Sequence, residues 1–121
     1  AFFSKGVDIA GLVQILGATC TRTKPNEDNE VEISFKIGIR NVSDQYFDRV
    51  KVNFTLNDEA GAEIDRTDEY NPVPPQTGRV FEPTIYSLKP GRLRNSIGKL
   101  TVHIFQPVSY YSTTEILSKS D

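Results

Sequence analysis

Between Val31 and Arg40 the chain reads VEISFKIGIR, and between Val50 and Asn57 it reads VKVNFTLN. In the first stretch Val31, Ile33, Phe35, Ile37 and Ile39 alternate with Glu32, Ser34, Lys36, Gly38 and Arg40. In the second, Val50, Val52, Phe54 and Leu56 alternate with Lys51, Asn53, Thr55 and Asn57. Successive side chains of a strand point to opposite faces, so each stretch puts its hydrophobic set on one face and its polar set on the other. A helix would scatter the same residues around its circumference. The β-branched and aromatic content points the same way. Two half-buried strands are therefore the constraint around which the rest must fold.

Other segments follow the same logic. KLTVHIFQP predicts a strand with Leu100, Val102 and Ile104 inward and Thr101, His103 and Phe105 outward. RVFEPTIYSL predicts another, with Pro83 marking an edge or a bulge because proline supplies no N–H. NDEAGAE carries turn chemistry through Asn57, Asp58 and Gly61 and leads into a short return strand, AEIDRTDEY. NVSDQYFD reads as a polar connection whose Tyr46 and Phe47 cap the end of the core. NPVPPQTG reads as an extended connection, and KPGRLRNSIG as a loop. The N-terminal VDIAGLVQILGATCTRT alternates Ile9, Val13 and Ile15 with Ala10, Leu12 and Leu16, which predicts a strand covered on both faces. Its glycines argue against a helix. VSYYSTTEILSKS is strand-forming through Tyr110 and Tyr111, and residues 112–121 read as a polar tail. About seven short strands with no persuasive helix predict an all-β fold, an Ig-like antiparallel β-sandwich.

A chain of 121 residues is one domain's length, so residues 1–121 are expected to share a single core. The net charge of −2 offers no basic excess for a nucleic-acid partner. Arg92, Arg94 and Lys99, with Lys89 nearby, read as a solvated loop. No apolar run reaches the ~18 residues of a membrane span. With one cysteine, Cys20, no internal disulfide forms, and a half-buried strand position is expected for it. The chain opens Ala1-Phe2-Phe3 and contains no methionine, which fits both removal of a signal segment and a piece of a longer chain.

Residues able to do chemistry are sparse. His103 is the only histidine and falls in the outward phase of its strand, so no catalytic residue and no cofactor is assigned. Asp58, Asp65 and Asp68 belong to an acidic cluster whose oxygens are candidate calcium ligands, although the spacing does not match an EF-hand loop. Asn41 (NVS) and Asn53 (NFT) satisfy the N-glycosylation pattern.

FTLND, Phe54 to Asp58, resembles the F-x-L-Y-D signature of FxLYD domains, with Asn57 in place of the tyrosine. The flanking RNVSD, DEAGAEI and PPQTGRVFEPTI are similar to that family's turns and strands, so the resemblance covers roughly Val31 to Ile85. It implies a small Ig-like sandwich, found mainly in prokaryotic envelope and secreted proteins. It carries over no catalytic residue and implies a structural or binding module.

The expectation is thus a non-enzymatic structural or protein-binding module of a secreted or cell-envelope protein, with a protein partner. The alternative is self-assembly: a subunit of an extracellular filament or surface assembly. Residues 1–19 would then be an exchangeable strand, with Val7, Ile9, Val13 and Ile15 completing a neighbour's sheet.

Overall fold

The computed structural model describes residues 7–9, 11–105 and 109–117, with side chains over 11–105. The described residues form nine strands: β1 (Val7–Ile9), β2 (Val13–Arg22), β3 (Val31–Asn41), β4 (Phe47–Asn57), β5 (Glu63–Val73), β6 (Gly78–Phe81), β7 (Thr84–Leu88), β8 (Ser96–Ile104) and β9 (Ser109–Leu117). One short 3₁₀ turn, Pro90–Arg92, precedes β8. Sheet A has the order β1-β2-β3-β6, with β7 also on β3, and sheet B has the order β5-β4-β8-β9. All pairings are antiparallel. The molecule is an all-β sandwich.

The alternating stretches do what their period requires. Phe35, Ile37 and Ile39 of β3, Val50, Val52, Phe54 and Leu56 of β4, and Leu100, Val102 and Ile104 of β8 are all fully buried between the sheets. Phe35 and Phe54 meet edge to face across that gap, their ring centroids 4.5 Å apart and their planes at 88°. Phe47 is buried and closes one end of this core, whereas its neighbour Tyr46 is exposed.

Two segments depart from the sequence reading, and the strand count rises from about seven to nine for that reason. The N-terminal stretch is a hairpin instead of one strand: the chain turns at Gly11 (φ +69°) and pairs Val7 with Ile15 and Ile9 with Val13. Further along β2, Ile15 pairs with Ile39 while Gly17 pairs with Gly38, so Leu16 is an extra residue in a bulge. The bulge flips the alternation. Val13, Ile15 and Ala18 are buried, and Leu16 lies on the outer face, 40% exposed, so β2 is not covered on both sides. Cys20 sits half-buried on the same strand and packs against the core.

The second departure is RVFEPTIYSL, which breaks at Glu82-Pro83 into β6 and β7, both on β3. Phe35 N–H donates to the Pro83 carbonyl at 3.1 Å across the break. Boundaries also move, and β3 and β4 extend into the expected polar connection, to Asn41 and from Phe47. β5 runs through Asn71-Pro72-Val73, β8 begins within the expected loop at Ser96, and residues 112–117 of the expected polar tail belong to β9. Residues 1–6 and 118–121 lie outside the described set.

One side of the sandwich is closed by polar groups. Thr67, Glu69 and Asn71 of edge strand β5 occupy the inner face, opposite Phe54, Val52 and Val50. Glu69 accepts the Glu82 N–H at 2.8 Å and an Asn71 amide proton at 2.7 Å, and Arg79 of β6 donates to Asn71 at 2.8 Å. These bonds join the two edge strands of opposite sheets and pair polar groups that are only partly buried.

Truncating the central ring measures the core directly. Phe54→Ala is expected to cost about 3–5 kcal/mol in urea unfolding, because the space between β3 and β8 cannot collapse fully. A loss below about 1 kcal/mol would contradict the packing described.

Candidate functional site

The outer face of sheet B carries a cluster of aromatic and cationic side chains. Register aligns Tyr70 of β5, Lys51 of β4 and His103 of β8 in one row across three strands. Directly opposite residues of paired strands share a face, so all three look away from the core. Phe105, one residue beyond β8, and Arg49 complete the group. The Arg49 guanidinium carbon sits 4.4 Å from the Phe105 ring centroid and 5.0 Å from that of Tyr70. Phe105 lies 4.1 Å from the His103 ring and 6.4 Å from Tyr70, the latter stacked at 24°.

A local irregularity aims Arg49. Phe47 pairs with Val73 and Val50 with Asn71, so β4 spends three steps where β5 spends two. That extra residue is a bulge, which lets Phe47 and Val50 both face the core while Asp48 and Arg49 both face out. Cation–π attraction then holds the guanidinium over the rings. The His103 pKa lies below its ordinary 6.5, first because partial burial disfavours the charged imidazolium and then because Lys51 and Arg49 repel it.

Sequence reasoning set His103 and Phe105 in the outward phase but did not join them to Arg49 and Tyr70. The available signal was that Tyr70, like His103, falls in the outward phase of its strand. Pairing it with Lys51 needs the β4–β5 register, and sequence does not supply that.

The other candidate residues have structural placements. Asn41 is fully buried. Its amide donates to the Gln45 carbonyl at 2.7 Å and the Val73 carbonyl at 3.0 Å. Its oxygen accepts from the Ser43 N–H at 3.0 Å and the Ser43 hydroxyl at 2.7 Å. The serine that completes the sequon is therefore a partner that locks the asparagine inside. Asn53 is half-buried on the outer face of β4, its amide given to Asp68 at 2.7 Å and its oxygen taken by the Thr55 hydroxyl at 2.7 Å.

The calcium candidates are not brought together. Asp58 accepts the Ala60 and Ala62 N–H groups at 3.0 and 2.8 Å and shapes the β4–β5 turn. Asp65 and Asp68 lie three positions apart on β5, and only Asp68 binds Asn53. Among the described residues no group of three or more His, Cys, Asp or Glu side chains is placed to hold a metal ion. Val13 and Ile15 are fully buried in this chain's own core, while Val7 and Ile9 belong to edge strand β1. Lys89 bonds the Asp28 carbonyl at 2.9 Å and approaches Glu30 at 3.6 Å, which ties that loop down. No helix among the described residues is long and apolar enough to cross a membrane.

No protein-family model matches this chain, and no curated protein matches it in sequence. Solved structures share its fold. A protein assigned as a β-galactosidase in Bacteroides fragilis aligns with a TM-score of 0.65 at 14% identity, over 84% of this chain and 16% of that one. The β-glucuronidase of Bacteroides uniformis aligns with a TM-score of 0.64 at 11% identity, over 84% of this chain and 13% of that one. A structural-genomics target aligns with a TM-score of 0.51 at 12% identity, over 88% of this chain and 85% of its own length. The likeness is one of fold, and against the two glycosidases the chain spans only a small fraction of their length.

Two measurements check these placements. Asn41→Ala strips partners from two carbonyls and an N–H and is expected to cost at least about 2 kcal/mol in urea unfolding, at about 1–3 kcal/mol per buried orphan. A loss within experimental error would refute the buried role. The His103 ring, followed by NMR, is expected to titrate with a midpoint below 6.5. Between that midpoint and 6.5 the unfolded chain binds the extra proton, so this residue's contribution lowers stability as pH falls through the window and leaves it untouched above. Lys51→Met should move the midpoint upward. An unperturbed wild-type midpoint, or no response to Lys51→Met, would contradict the placement.

Proposed function

We propose that the chain is a non-catalytic, protein-binding β-sandwich module of a secreted or cell-envelope protein, and that it engages its partner through the outer face of sheet B. The observation that carries this reading is the cluster of Arg49, Tyr70, His103 and Phe105 around Lys51. Aromatic residues and arginine dominate the energetically decisive positions of protein interfaces, because they offer large contact area together with polar handles. Here they stand together at one end of a sheet face whose other residues include the small polar Asn53, Thr55 and Thr101 and the charged Arg66, Asp68 and Lys99. The glycosidases of like fold support a modular role, since a sandwich of this size occupies only 16% and 13% of their chains. The FxLYD-like stretch from Phe54 to Asp58 supports the envelope or secreted setting.

A second reading, a filament or surface-assembly subunit joined by addition of an N-terminal strand, is favoured by one edge of sheet B. Edge strand β5 carries Glu63, Asp65, Arg66, Asp68, Glu69 and Pro72, which deter pairing with another strand. Edge strand β9, SYYSTTEIL, carries Glu115 as its only charged residue. Light scattering across a range of concentrations separates the readings: a monomer throughout counts against assembly.

The preferred reading is tested by placing a photo-crosslinking phenylalanine analogue at Tyr70 and, separately, at Tyr86, which is 62% exposed on sheet A. In extracts of the organism that makes the protein, position 70 is expected to yield a discrete protein adduct that position 86 does not. Identical patterns, or no adduct from position 70, would count against the reading.

A further inference from the structure

The cluster on sheet B has a chemical polarity of its own. Arg49 is exposed, and Lys51 is half-buried between Tyr70 and His103. Among the described residues neither cation makes an ion pair, although Arg66 pairs with Glu63 at 2.6 Å and Lys89 with Glu30 at 3.6 Å elsewhere on the surface. Two carboxylates share this face: Asp68 accepts from the Asn53 amide at 2.7 Å, and Asp48 is turned outward beside Arg49 without an ion pair to it among the described residues. Two neighbouring cations without an ion pair among the described residues thus stand on a chain whose net charge is −2.

The guanidinium is also positioned in advance. The bulge at Asp48-Arg49 points it outward, and the rings of Phe105 and Tyr70 hold it from below at 4.4 and 5.0 Å. Stacking on rings does not use the N–H donors that match a carboxylate, so little side-chain entropy remains to be lost on binding. The rings themselves are crowded. Phe105 has Arg49, His103 and Tyr70 all around it, which leaves a poor open platform for a sugar ring or a base to stack on. Their outer edges instead offer apolar contact beside the cations.

We propose that this face binds an acidic peptide segment of a partner protein, with Arg49 and Lys51 receiving an Asp or Glu carboxylate and Tyr70 and Phe105 packing the apolar residue beside it. This inference rests on the protein-binding reading above and adds the chemistry of the partner. Arg49 supplies the directional contact through paired N–H donors, and Lys51 supplies charge. The neighbouring cations also steer an acidic segment toward the face, an effect that weakens as salt rises.

The test uses a fluorophore-labelled peptide alternating Glu and Phe, a matched peptide alternating Gln and Phe, and a labelled oligoglucuronate, each followed by anisotropy on the full chain. The Glu-Phe peptide is expected to bind saturably, more weakly at high salt, and at least about tenfold tighter than the Gln-Phe peptide. Arg49→Ala and Tyr70→Ala are each expected to weaken it by about tenfold or more, with Arg49→Lys in between and Tyr86→Ala without effect. Thermal melts matching wild type exclude unfolding of the Arg49 and Tyr70 variants, both of which alter exposed side chains. Equal binding of the Glu and Gln peptides, equal binding by wild type and Arg49→Ala, or preference for the oligoglucuronate would overturn the inference. No binding of the Glu-Phe peptide overturns it as well. If the position-70 adduct persists in that case, the protein-binding reading survives with a partner of other chemistry. If the adduct is also absent, that reading fails too.

Discussion

The edge-to-face contact of Phe35 and Phe54 joins the central strands of the two sheets, and the rest of the structure is arranged around it. It is a modest interaction in itself, worth about 0.5–1.5 kcal/mol beyond area burial. Its importance is geometric: it fixes which face of β3 meets which face of β4. Once that is fixed, a one-residue slip in any paired strand would turn its hydrophobic set toward water. The inner faces of β2, β3, β4 and β8 are therefore fully committed to holding the sheets together, and only outer faces, edges and loops remain available for other work.

The sandwich distributes its remaining polar chemistry between closure and exposure. Glu69, Asn71 and Arg79 knit one open side, and Asn41 gathers the loop after β3 onto the end of β5. These groups look functional in a sequence because they are charged or form a sequon, yet their hydrogen-bonding capacity is used internally. Arg49 and Lys51 are in the opposite position. They lie beside rings, with no ion pair among the described residues, on a face the core does not need.

How much was legible in the sequence depended on whether a strand's burial follows its period. β3, β4 and β8 could be read residue by residue, since each has one apolar and one polar face. β2 could not, because the extra residue Leu16 reverses the alternation at its middle. β5 was legible only as far as Tyr70, because Pro72 cannot donate to a ladder, yet as an edge strand it continues through that proline to Val73. The candidate site was nearly invisible for a different reason. Its members come from β4, β5 and the end of β8, and only the pairing register and the bulge before Val50 bring Arg49 over Tyr70 and Phe105. Within FTLND, alternation alone marks Phe54 and Leu56 as core, where both are fully buried.

The central claim is a division of labour, with inner faces for stability and the outer face of sheet B for binding. Backbone amide shifts of the isotope-labelled chain, recorded as an acidic Glu-Phe peptide is added, test it most directly. The account predicts that perturbations concentrate at Arg49, Lys51, Tyr70, His103 and Phe105 and leave Leu16, Gly38 and Val80 on the outer face of sheet A unmoved. Shifts centred on that sheet A patch, or spread evenly over the domain, would contradict it.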